Sequence, residues 1–198
     1  VMALVDVLDY MPQNHPSRSL LIQQLNQLSG AIAKIQDPSS GLWYQLPGHP
    51  GRKGNYFEAS CSNMFVYAFA KGVRKGYLPV SFRKNAERGY AGIVKEFITK
   101  DAEGYIHLEK TVSVGGLGGT PYRDGSYEYY LSEPLRKDDL KGVGPFILAS
   151  LEMEVAKELA NGAGKKVVLD YFFNHEYKKG TNERFHYSWE DRKDSGFN

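Results

Sequence analysis

An alternation along the chain excludes most folds. Five helical segments follow one another, and their apolar surfaces switch between nearly all-round and one-sided. Residues 1–11, VMALVDVLDYM, are apolar on almost every face, as suits a helix buried on most sides. A helix over 17–35, with Ser17 as its N-cap, sets Leu21, Leu25, Leu28, Ile32 and Ile35 at steps of three and four; Gln23, Gln24, Gln27 and Lys34 face away. Residues 57–73 are apolar on most faces again. Residues 82–97 then place Phe82, Ala86, Tyr90, Ile93, Val94 and Phe97 opposite Arg83, Lys84, Glu87, Arg88, Lys95 and Glu96. A last helix over 141–159 aligns Val143, Ile147, Leu151, Val155 and Leu159, with Phe146 and Leu148 beside them. The order is inner, outer, inner, outer, inner.

The connections alternate as well. Inner-to-outer links are short, at 12–16 and 74–80, and outer-to-inner links are long, at 36–55 and 100–140. In a layered array this gathers the long loops at one end, where binding residues concentrate when a rigid scaffold holds them. Two of these loops open alike. Asp37-Pro-Ser-Ser-Gly41-Leu-Trp-Tyr44 and Asp101-Ala-Glu-Gly104-Tyr-Ile-His107 each run from an acidic turn through a glycine into a short extended segment. This internal repeat, with the alternation, predicts an all-α toroid of concentric helix pairs. An ordinary bundle does not require it.

The run from Gly115 to Phe146, GGLGGTPYRDGSYEYYLSEPLRKDDLKGVGPF, is long for a loop in a compact domain, and such loops are functional or disordered. Tyr122, Tyr127, Tyr129 and Tyr130 argue for order. After the break at 161–164, residues 165–173 read as strand-like, and 164–198 as a connector beyond a helical unit over 1–163.

Composition excludes several classes. At 198 residues with 41% hydrophobic and 24% charged, the chain is ordinary for a soluble fold. A net charge of +2, with its basic pairs scattered, leaves no nucleic-acid footprint. No stretch approaches the ~20 apolar residues that span a membrane. The lone Cys61 permits no internal disulfide and reads as a small core residue. The five histidines are dispersed, without HExxH or an i,i+4 pair, so no metal site is expected. Gly115–Gly119 lacks the GK[ST] of a phosphate loop, and no GxSxG occurs. No cofactor is expected.

What remains is a surface suited to carbohydrate. Trp43, Tyr44, Tyr56, Tyr105 and Tyr122 offer faces for sugar rings, while Arg123 and Lys141 offer cations for a carboxylate. Lys141 and Glu58 each open an inner helix, where backbone N–H groups and the helix dipole favour anions. Gly142 and Gly144 let backbone approach a ligand closely. A uronic acid suits this arrangement, with Trp43, Tyr44 and Glu58 near the rim.

The motifs GLWYQ, GNYFEASCSNMFVYAFAKGVRKGYLP and SVGGLGGTPYRDGSYEYYLSEPLRKDDLKGVGPFILASLEME, in this order, resemble the C-terminal part of the unsaturated rhamnogalacturonyl hydrolases, glycoside hydrolase family 105. The resemblance covers about residues 1–160. VMALVDVLDYMP is similar to the helix following that family's W-x-R-x-N-G-W motif, and the tail from Lys165 is similar to a connector toward an extra domain. The resemblance implies part of an (α/α)6 barrel, which five helices cannot close. It implies removal of a terminal Δ4,5-unsaturated galacturonate from rhamnogalacturonan oligosaccharides in pectin breakdown, by hydration of the double bond. The family's catalytic Asp, active-site His and Trp/Arg motif correspond to sequence before Val1. None of Asp124, Asp138 or Asp139 matches the catalytic position, so no catalytic residue is carried over and the chain alone is expected to be inactive. Two other readings stand beside this one: a non-catalytic carbohydrate-binding or assembly module, and a Tyr-rich interface pairing half-barrels.

Overall fold

Steps of three and four along the chain become six helices in the computed structural model, which describes residues 1–160. They are α1 (Met2–Tyr10), α2 (Arg18–Lys34), α3 (Ala59–Arg74), α4 (Phe82–Phe97), α5 (Tyr127–Ser132) and α6 (Leu140–Ala160). Four short strands sit in the last long loop: β1 (Ile98–Lys100), β2 (Ile106–Leu108), β3 (Thr111–Val112) and β4 (Leu135–Arg136). The first two pair antiparallel with Thr99 opposite His107, and the last two with Thr111 opposite Arg136. The strand-like reading of 165–173 and the connector over 164–198 lie outside the described residues.

The inner–outer alternation is observed. Helix α3 packs against α1, α4 and α6, and it buries Ala59, Val66, Tyr67, Ala68 and Phe69 completely. Helices α2 and α4 bury one stripe each, Leu25, Ser29 and Ile32 on the first and Ala86, Gly89, Ile93 and Phe97 on the second. Each fully buried Leu, Ile or Phe contributes roughly 1.5–3 kcal/mol of transfer free energy, so the core around α3 dominates stability.

Charge also joins the inner helices. Lys71 on α3 is 1% exposed, and its ammonium lies 2.6 Å from Asp6 Oδ1 and 2.9 Å from Asp9 Oδ2 on α1. The Tyr67 hydroxyl donates to the same Asp6 oxygen at 2.6 Å. One turn further along α3, Arg74 grips the buried Glu152 of α6 through two bonds of 2.6 Å each. Bidentate pairing offsets the cost of burying that carboxylate.

Three expectations need correction. Ser17 does not cap α2 through its side chain: the turn over 12–17 already brings it to φ −90°, ψ −2°, and a cap hydroxyl needs extended backbone to reach the first turn. Helix α1 is not apolar-buried all round, because Val7 and Tyr10 are 45% and 66% exposed. Helix α6 is rotated from the expected face. It buries Gly142, Pro145, Ala149, Glu152 and Val155, and leaves Ile147 53% exposed. Small residues win the contact because they allow close approach, and an added Cβ at Gly142 would collide with Thr111 Oγ1 and Leu108.

Candidate functional site

Both long loops open on a turn fixed by an aspartate. Asp37 Oδ2 accepts from the backbone N–H and hydroxyl of Ser39 and of Ser40, at 2.7–3.2 Å. Gly41 leaves this turn at φ 76°, against the Arg88 carbonyl, where only glycine fits. In the second loop Asp101 Oδ1 accepts from Tyr105 N–H at 2.7 Å, and Gly104 takes φ 96°. The internal repeat is thus real at the level of hydrogen bonds.

After each turn the chain runs extended. Tyr44 bridges antiparallel to Phe57, with ring centroids 4.3 Å apart, so Tyr44 is half-buried on a narrow hairpin over 43–58. Trp43 lies on the core side of that hairpin. It is 1% exposed, donates from its indole N–H to the Ile32 carbonyl at 2.8 Å, and meets Phe65 and Phe69 edge-on. It has no face free for a sugar, which corrects its assignment to the rim. The GLWY alternation carries the reason, since the residue before Tyr44 points to the opposite side of an extended strand.

Glu58 is also an internal group, 1% exposed. It caps α3 by accepting from Cys61 N–H at 2.7 Å, takes the Ser60 hydroxyl, and accepts from Val112 N–H at 3.0 Å. One carboxylate therefore closes a helix and ties it to β3. Cys61 lies beneath it, partly buried: burial, then the Glu58 charge, push its thiol well above the usual range.

The two long loops meet at one end, as the link lengths predict. The Tyr127 hydroxyl of α5 donates toward the Arg52 and Lys53 carbonyls at 3.2 and 3.1 Å. The Arg52 guanidinium lies 3.5 Å from the centroid of the Tyr127 ring and pairs with Glu128 at 3.3 Å. Gly54 abuts Leu131. Helix α5, capped by Ser126 on Tyr129 N–H at 3.0 Å, escapes the sequence reading because its six residues are too short to show a period.

On this loop end stands a small hairpin, where Gly118 bridges Arg123 and Tyr122 projects with 79% exposure. Arg123 lies 4.0 Å from Glu133. Tyr129 Oη accepts from Gly116 N–H at 3.2 Å, holding the glycine run against α5. Tyr56 Oη is buried and has no hydrogen-bond partner among the described residues. Burial, then the Glu58 and Glu133 carboxylates, push that phenol up to about 12. Glu133 and Tyr129 carry no sequence motif and enter only through this proximity.

Lys141 is half-exposed and committed. Its ammonium binds Asp139 Oδ2 at 2.9 Å and the Ser113 carbonyl at 3.0 Å. The anion that an inner-helix N-terminus favours is supplied by the chain itself, Glu58 on α3 and Asp139 on α6. The loop aspartates are equally occupied. Asp124 accepts from Ser126 N–H, Asp138 from Leu108 N–H and Asp139 from Lys141, and these bonds hold all three below the usual carboxylate range. Such groups are ionised at neutral pH and poor proton donors. Among the described residues no group of three His, Cys, Asp or Glu could hold a metal, and no helix is long and apolar enough to cross a membrane.

Residues 1–157 match the family model described as Glycosyl Hydrolase Family 88. Protein Atu3128 of Agrobacterium fabrum is 38% identical over 157 residues, covering 76% of this chain and 66% of that protein. A solved family 105 glycoside hydrolase of C. acetobutylicum is 50% identical with a TM-score of 0.75, covering 77% of this chain and 42% of its own. A possible family 105 member from Salmonella enterica is 32% identical with a TM-score of 0.63, over 77% of this chain and 36% of its own. The chain therefore spans less than half the length of these solved structures. The alternating helices are an arc of the (α/α)6 barrel those relatives form.

Proposed function

Because the chain belongs to Glycosyl Hydrolase Family 88, we propose that it forms the loop-bearing arc of an enzyme that removes a terminal Δ4,5-unsaturated galacturonate from rhamnogalacturonan oligosaccharides. The observation that carries this reading is the exposed Tyr122 beside the partly exposed Arg123, set on the end where both long loops lock together. Tyr122 offers a ring face to a sugar, and Arg123 offers two-pronged pairing to a uronic carboxylate. Arg123 holds Glu133 only at 4.0 Å, so a substrate carboxylate competes on good terms. Lys141, bound to Asp139 and Ser113, acts on the sugar through the loop it anchors. Tyr44 lines the neighbouring hairpin.

The chemistry is hydration of a vinyl ether. An aspartic acid gives a proton to C4, the carboxylate so formed takes one back from the water whose hydroxyl adds at C5, and the hemiketal opens and releases the sugar. That is general acid–base work. No residue of this chain is assigned the acid, and the occupied loop aspartates agree with that.

The same occupied aspartates favour a second reading, a carbohydrate-binding module without catalysis. Steady-state kinetics on an unsaturated rhamnogalacturonan disaccharide, followed at the double-bond absorbance, separates the two. In the gene product that contains this chain, Arg123→Ala is expected to raise KM roughly tenfold with kcat little changed, as for a group that holds substrate and transition state alike. An unchanged KM removes Arg123 from the site. Binding of the disaccharide by that gene product without any turnover establishes the second reading instead.

A further inference from the structure

His107 stands on β2 with a carboxylate at each ring nitrogen. Nδ1 lies 2.6 Å from Asp138 Oδ2, and Nε2 lies 3.0 Å from Asp101 Oδ2. A neutral imidazole has one N–H and one lone pair, so in either tautomer one carboxylate would face a lone pair. Only the imidazolium donates at both. The geometry thus requires the charged ring.

Asp138 connects that ring to the loop. Its Oδ1 accepts from Leu108 N–H at 2.8 Å, and its own N–H donates to the Leu108 carbonyl at 2.8 Å. Its φ of 55° is a left-handed conformation that a non-glycine residue keeps only when its surroundings hold it. The next residue, Asp139, starts α6 by accepting from Gly142 and Val143 N–H, and it binds Lys141, which reaches the Ser113 carbonyl. One continuous set of contacts runs from the imidazole through 138–139 and Lys141 to the base of the glycine-rich loop.

We propose that His107 is a proton-operated clasp: its imidazolium, held between Asp101 and Asp138, steadies the base of the 113–133 loop against the start of α6, and loss of one proton loosens the loop at that base. The charged groups facing the ring are Asp101 from the β1–β2 turn, and Asp138 and Lys137 from the segment before α6. Asp101 first, then Asp138, hold the ring's titration above the usual histidine value, and Lys137 opposes them. The His107 bond, first for Asp101, and the Leu108 N–H followed by His107 for Asp138, hold both acids below theirs. The signs follow. The histidine contribution is complete below the unfolded value of about 6.5 and is lost as pH rises through the higher folded value. The aspartate contributions are present above about 3.9 and are lost as pH falls through their lowered folded values. The clasp is closed between these limits and opens beyond either.

Nitrogen–proton correlation spectra of the histidine rings, recorded on this chain from about pH 5 to about pH 9 with amide exchange in parallel, test the clasp. His107 is expected to be protonated at both nitrogens through neutral pH. Peptides covering 113–133 are expected to exchange about tenfold faster, after correction for intrinsic rates, once it deprotonates. His107→Gln donates to one carboxylate only, and should abolish that pH dependence. Asp101→Asn, in an exposed turn, should lower the ring's titration point without unfolding the chain. A singly protonated His107 near pH 6, or loop protection indifferent to its titration, overturns the proposal. Neither readout depends on turnover, so the clasp and the enzymatic reading fail independently.

Discussion

A single carboxylate at the base of α3 shows how residue type and residue role diverge. Glu58 has the sequence position of a rim group, yet its oxygens are consumed by Cys61 N–H, the Ser60 hydroxyl and Val112 N–H. Glu58→Gln keeps the shape and replaces one acceptor oxygen with a donor aimed at other donors. We expect a loss of about 2 kcal/mol, by adding a lost helix cap to an unsatisfied buried group, measured as a lower urea midpoint at unchanged m. An unchanged midpoint would show the carboxylate to be dispensable. Lys71 is the mirror case, a cation buried in the core because two aspartates of α1 meet it. Lys71→Met should cost about 2–3 kcal/mol in thermal or chemical unfolding, less than a fully buried pair because both aspartates reach solvent. A gain in stability would mean that α1 docks by its apolar residues alone.

At the level of elements, periodicity located α1 to α4 and α6 within a few residues and placed their order correctly. It misjudged the rotation of α6. The pattern seeks large apolar side chains, whereas α6 meets α3 and the β2–β3 corner through Gly142, Pro145 and Ala149, with Glu152 paired to Arg74. Gly142→Ala tests that rotation. Its Cβ would meet Thr111 Oγ1 and Leu108 Cδ2, so about 1–3 kcal/mol of destabilisation is expected from overpacking, despite alanine's better helix propensity. Stabilisation by calorimetry would mean that the contact is loose. Helix α5 and the pair β3–β4 were illegible for a different reason. They are short, and long-range bonds place them: Tyr127 of α5 meets the Arg52 and Lys53 carbonyls across some seventy-five residues of chain, and Val112 of β3 meets Glu58 across fifty-four.

Residues 1–160 are an arc of helices with their loops at one end, and the family membership rests on that arc together with its motifs. On the proposed reading, in which none of its aspartates is the acid, the 198-residue chain alone is expected to leave an unsaturated rhamnogalacturonan disaccharide intact over hours. Loss of the double-bond absorbance with the purified chain would place the acid within it. By itself the sequence determined the helical class, the inner–outer order, the gathering of long loops and the family, because each depends on local period or on residue order. Tertiary structure alone decided which polar and aromatic groups remain available. Trp43 is spent on Ile32, Glu58 on Val112 and Lys141 on Ser113, while Tyr122 stays open to solvent and Arg123 only loosely engaged. The physical reason is that a hydrogen bond or ion pair is satisfied by whatever the fold brings near, and those partners lie eleven to fifty-four residues away along the chain.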